Sequence, residues 1–204
     1  MTSTRPLILG IGGSFRVGSS TERALAYCLG QAQDLGADIR MLGGDFLARL
    51  PIFDPRPGKD TGAQHELALA VREADGIILA TPSYHGSLSG LIKNALDTLE
   101  LTRDDPAPYF QDRPVGVVIT SDGQQASGTT LMTIRSIIHA MRGWPAPYGA
   151  TVTTTSSLFD ANGQCNNAKD AWQLSTVAKQ VVEFARMRVA FTASYSHEDV
   201  SASA

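Results

Sequence analysis

The chain has 204 residues, of which 43% are hydrophobic and 18% charged, and a net charge of −3. That length suits one domain with a sizeable core, and the lack of any Lys/Arg cluster argues against nucleic acid as a partner. No apolar run approaches the roughly 18 residues a bilayer span needs, so no membrane association is expected.

The opening MTSTRP has no apolar h-region and reads as a short leader to the first strand. Cys28 and Cys165 have no metal-ligand spacing and suggest no disulfide framework, so a cytoplasmic location is expected. His65, His85, His139 and His197 are scattered along the chain, and no metal site is predicted.

The first strand, predicted over 7–11, runs straight into a loop of Gly, hydroxyl residues and one arginine. Gly12, Gly13 and Gly18 let the backbone turn so that its N–H groups converge. Ser14, Ser19 and Ser20 offer hydroxyls, and Arg16 a planar fork of positive charge. Ser19 followed by Glu22 has the spacing of a capping box, which puts a helix N-terminus at the same place. Two better-known loops do not fit. A Walker A match would need a lysine where Ser19 stands, and the dinucleotide fingerprint beginning at Gly10 meets Phe15 at its third glycine. What remains suits a terminal monophosphate; the plainer alternative is a Gly/Ser turn joining strand to helix.

Further strands are predicted over 39–42, 76–81, 115–121 and 148–154, and helices over 21–35, 62–74, 90–101, 129–142 and 169–187. The third and fourth strands are apolar throughout rather than alternating, so both of their faces are covered. That pattern predicts a three-layer α/β domain over 1–190 around a five-stranded parallel sheet of order 2-1-3-4-5. In such a sheet the ligand lies where the chain direction reverses, beyond the carboxyl ends of strands 1 and 3. Residues 191–204, rich in Ser and Ala, are expected to form a disordered tail.

The loop after strand 3 reads TPSYHGSLSGLIKNALD. Pro82 is expected to end the strand, Gly86 and Gly90 to allow close approach of a flat ligand, and Tyr84 to supply an aromatic wall. Leu91, Ile92, Ala95, Leu96 and Leu99 mark the buried face of the following helix, with Lys93 and Asp97 as an i,i+4 pair.

The segments GGSFRVGSST and PSYHGSLSGLIKNALD, together with LPIFDP at 50–55 and LFDANG at 158–163, resemble the NAD(P)H-dependent FMN reductase family of the flavodoxin superfamily. The resemblance implies a flavodoxin-like sandwich in which Ser14, Arg16, Ser19, Ser20 and Thr21 hold the FMN phosphate. Pro82, Ser83, Tyr84, His85 and Gly86 would line the flavin ring, mainly through backbone N–H groups. Ser121, Asp122 and Gly123 would border its other side, where Asp122 would disfavour an anionic reduced ring. Thr21 stands where the family often has asparagine.

The resemblance further implies hydride transfer from NADPH or NADH to FMN, with the flavin carrying the chemistry and no catalytic side chain. Reduced FMN would then pass to an acceptor or to a partner flavin-dependent monooxygenase. The alternatives are an FMN-containing quinone, azo, nitro or metal-oxyanion reductase, or a flavodoxin-like electron carrier. A homodimer or homotetramer is expected, built partly on an exposed loop at 50–57 carrying Leu50, Ile52 and Phe53 and on the helix at 90–101.

Overall fold

The computed structural model describes residues 5–201. Five parallel strands, β1 (Leu7–Gly12), β2 (Asp38–Leu42), β3 (Gly76–Tyr84), β5 (Pro114–Ser121) and β6 (Trp144–Thr153), pair in the order β2-β1-β3-β5-β6. A two-residue strand, β4 (Ser87–Leu88), folds back antiparallel on the end of β3. Without that hairpin the order is the 2-1-3-4-5 read from the sequence. The helices are α1 (Ser20–Asp34), α2 (Gly44–Leu47), α3 (Gly62–Glu73), α4 (Gly90–Thr98), α5 (Gln124–Ala140) and α6 (Ala168–Ser201).

Successive strand residues feed opposite layers, as the two-residue period of a strand requires. Leu9, Ile77, Leu79, Val117 and Ile119 pack with Leu67 and Val71 of α3, Ile92 and Leu96 of α4, and Ile134 and Ile138 of α5. Ile8, Ile78, Ala80 and Val118 face the other way, against Leu25 and Leu29 of α1 and Leu174, Val177 and Val181 of α6. Cys28 belongs to this second layer. Its thiol donates to the Leu174 carbonyl oxygen at 3.2 Å, and burial pushes its pKa up to about 12, which makes it an inert packing group.

Several boundaries differ from the sequence expectation, each for a physical reason. Pro82 does not end β3; it sits opposite Thr120 in the ladder with β5. On the other flank β1 ends at Gly12, opposite Ala80, so Pro82 lies where the strand has one neighbour only. β6 begins at Trp144, four residues early, because an edge strand tolerates Pro145 and Pro147.

Leu50 is 7% exposed and belongs to the core, whereas Ile52 is 82% exposed and Phe53 half-buried. The cause is Asn94, which accepts the Phe53 N–H at 2.9 Å and donates to the Pro51 carbonyl oxygen at 2.9 Å, pinning that loop to α4. Finally, α6 runs on to Ser201 through much of the expected tail, since no Gly or Pro follows Gly163 to stop it. Residues 202–204 lie outside the described residues. Among the described residues no helix is long and apolar enough to cross a membrane.

Candidate cofactor site

The carboxyl ends of β1, β3, β5 and β6 open onto a cavity of about 490 Å³. From the first loop it takes Ser14, Arg16, Ser19, Ser20 and Thr21; from the second, Pro82, Ser83 and Tyr84; from the third, Ser121 and Asp122. The reversal of chain direction between β1 and β3 thus brings together the segments expected from the sequence. His85, Gly86 and Gly123 are not among the lining residues. Phe15, Thr120 and Thr154, not foreseen, are.

In the first loop, Gly12 and Gly13 let the backbone pass close to its neighbours. A Cβ on Gly12 would lie 2.5 Å from the Ala80 carbonyl oxygen, and Gly13 has φ +133. Ser19 caps α1, its Oγ accepting the N–H of Glu22 at 3.2 Å, so its own O–H points elsewhere. The N–H groups of Ser20 and Thr21 meet no protein acceptor among the described residues, as expected for the first turn of a helix. Arg16 is exposed and, among the described residues, makes no ion pair. Thr21 is buried and shares a 2.6 Å hydrogen bond with Thr120 of β5, which joins the first loop to the third.

The opposite end of the cavity is built differently. Ser83 donates to the Ala126 carbonyl oxygen at 3.0 Å and shares a 2.7 Å bond with Thr130, tying β3 to α5. Ser121 donates to the Gly123 carbonyl oxygen at 2.8 Å and pairs with Ser127, which fixes the turn into α5. Asp122 accepts the hydroxyl of Thr154. His85 and Gly86 form the β3–β4 turn with φ of 53 and 79. A Cβ on Gly86 would point at Thr129 of α5, 3.1 Å from its Oγ1, and not into the cavity. The freedom Gly86 supplies is therefore for the turn itself.

A second cavity of about 320 Å³ adjoins the first and shares Ser14, Phe15 and Tyr84 with it. Its remaining walls include Leu47, Leu50, Ile52 and Leu91, so it is mainly apolar. Phe15 is 75% and Tyr84 55% exposed at the join, which places two aromatic side chains between the cavities.

Comparison with known proteins agrees with this geometry. Residues 6–156 match the family described as NADPH-dependent FMN reductase. The chain is 34% identical over 141 residues to an FMN-dependent NADPH-azoreductase of Staphylococcus haemolyticus, covering 67% of this chain and 71% of that protein. It is 31% identical over 180 residues to the protein of the same description from Staphylococcus aureus, covering 84% and 91%. Among solved structures, the flavoenzyme NAD(P)H:(acceptor) oxidoreductase FerB of Paracoccus denitrificans superposes with a TM-score of 0.70 at 19% identity, over 90% of this chain and 98% of that one. The chain therefore belongs to the NADPH-dependent FMN reductase family, with a flavodoxin-like fold, and is a flavoprotein oxidoreductase of FMN and NADPH.

Proposed function

We propose that the protein binds FMN in the larger cavity, takes electrons from NADPH and releases reduced FMN to an acceptor. The observation that carries this is the set of unengaged donors at the start of α1: the N–H groups of Ser20 and Thr21, the Ser19 hydroxyl and Arg16. Backbone N–H groups at a helix N-terminus, a hydroxyl and a guanidinium are the donor set that a terminal phosphate dianion calls for. At the other end, the Ser83, Ser121 and Thr154 hydroxyls are spent within the protein. A flavin ring there is left to backbone groups of Pro82, Ser83, Tyr84, Ser121 and Asp122, which supports positioning by loop shape over acid–base catalysis. Bound FMN supplies the two-electron redox chemistry. The chain's own residues orient it, and Phe15 and Tyr84 border the space beside it.

On this reading the whole of 1–190 is a single FMN-binding domain working in the cytoplasm as a homodimer or homotetramer, with a flavin-dependent monooxygenase as one recipient of reduced FMN. Ile52 is the residue of its loop best placed for a second copy to cover, since Leu50 is already buried.

A second reading is favoured by the relatives named azoreductases and by the apolar second cavity. In it FMN stays bound and an aromatic acceptor enters beside it. Anaerobic addition of NADPH to the FMN-loaded protein, followed by ultrafiltration, separates the two. Reduced flavin in the filtrate supports release; reduced flavin retained with the protein and discharged by an azo dye supports the second reading.

A further inference from the structure

Glu22 lies in the first turn of α1, where an acid complements the helix dipole. Its spacing from Ser19 predicts a bond to the Ser19 N–H, but that N–H donates to the Arg16 carbonyl oxygen at 3.1 Å. Glu22 instead accepts the N–H of Gly18 on Oε2 at 2.8 Å and that of Gly44 on Oε1 at 3.4 Å. One carboxylate thus bridges the far end of the phosphate loop to the start of α2.

The near end of the loop meets the same dipeptide by direct contact. A Cβ on Gly44 would collide with the Ser14 carbonyl oxygen, and one on Gly13 would lie 2.7 Å from Gly44 N. At Gly43 a Cβ would fall 2.6 Å from Glu22 Oε1, so the carboxylate has room only because glycine stands there.

The bridge has two opposed effects on an anionic ligand. It holds the loop in shape beforehand, which lowers the cost of ordering it on binding. It also occupies the Gly18 N–H and sets a carboxylate at the end of the loop that runs into Ser19 and Ser20, where its charge opposes a phosphate dianion. We infer that Glu22 is a positioning residue that keeps FMN exchangeable, its bridge shaping the loop while its charge loosens the grip on the phosphate. This rests on the FMN reading above.

The test is a titration of FMN, read by quenching of its fluorescence, on wild type and Glu22→Gln at low and high salt, with the release rate from stopped-flow dilution. Gln removes the charge and keeps one acceptor oxygen, enough for the shorter bond to the Gly18 N–H, while its NH2 cannot accept the Gly44 N–H. The Gln variant should bind FMN about three- to tenfold more tightly and release it correspondingly more slowly, with the gap narrowing in high salt, because one screened charge–charge interaction has that size. Thermal melting without ligand reads the bridge separately: Glu22→Ala, which removes both arms, should melt furthest below wild type, and Glu22→Gln, which keeps the acceptor for one N–H only, between the two. A Gln variant that binds FMN no more tightly than wild type overturns the inference. Wild type that binds no FMN overturns the FMN reading and the inference with it.

Discussion

The two ends of the larger cavity are both rich in polar groups, yet only one of them keeps a set of donors unengaged. At the start of α1, Ser20 and Thr21 keep their N–H groups unengaged and Arg16 stands without an ion pair among the described residues. At the ends of β3, β5 and β6, Ser83, Ser121 and Thr154 are locked onto carbonyl and carboxylate oxygens. Recognition of charge needs donors that the protein has not satisfied itself. Placement of a flat ring needs loops that do not move, and spent hydroxyls provide that.

Substitutions at the two ends should therefore fail in different ways. The largest effect is expected for Arg16→Ala, which should weaken FMN binding by about 1.5–3 kcal/mol, the range for a hydrogen bond to a charged group, while leaving the melting temperature near that of wild type. An FMN titration beside a thermal melt checks both halves. Gly86→Val should do the reverse. A branched residue at φ +79, with its Cβ 3.1 Å from Thr129 Oγ1, strains the β3–β4 turn by about 1–3 kcal/mol. NADPH oxidation should fall with the melting temperature, more than FMN affinity does.

Thr21→Val probes the seam between the ends. It leaves the Thr120 hydroxyl buried without its 2.6 Å partner, at a cost of about 1–3 kcal/mol of stability in the ligand-free protein. Asp122→Asn should raise the midpoint potential of bound FMN, because it removes a negative charge from the cavity lining while keeping an acceptor for Thr154; spectroelectrochemistry reads the shift. His85→Ala is expected to be the mildest, retaining most NADPH oxidation, since His85 is not part of the cavity lining.

The same contrast governs what could be read from the chain. The loop proposed to hold the phosphate is legible because its donors are contiguous in sequence, from Ser14 to Thr21, and glycine spacing announces the turn. Thr120 and Thr154 carry no such signal. They are ordinary strand-end residues until the order β3-β5-β6 sets them beside Thr21 and Asp122. Leu50 reads as exposed because a Pro-rich loop suggests a surface, and its burial depends on Asn94, far along the chain, which sequence spacing does not connect to it. Pro82 reads as a strand end because the local rule is sound; the missing neighbour beyond Gly12 is a fact of register. Glu22 has the spacing of a capping box, and its bridge to Gly44 appears only when β2 brings that glycine alongside.

The central claim, that unengaged donors at the start of α1 recognise a terminal phosphate, is tested most directly by titrating the wild-type protein with FMN and with riboflavin, which differ only in that phosphate. FMN should bind about a hundredfold more tightly or better, because several charge-assisted hydrogen bonds are at stake, and the advantage should shrink in Arg16→Ala. Equal affinities for the two flavins would contradict it.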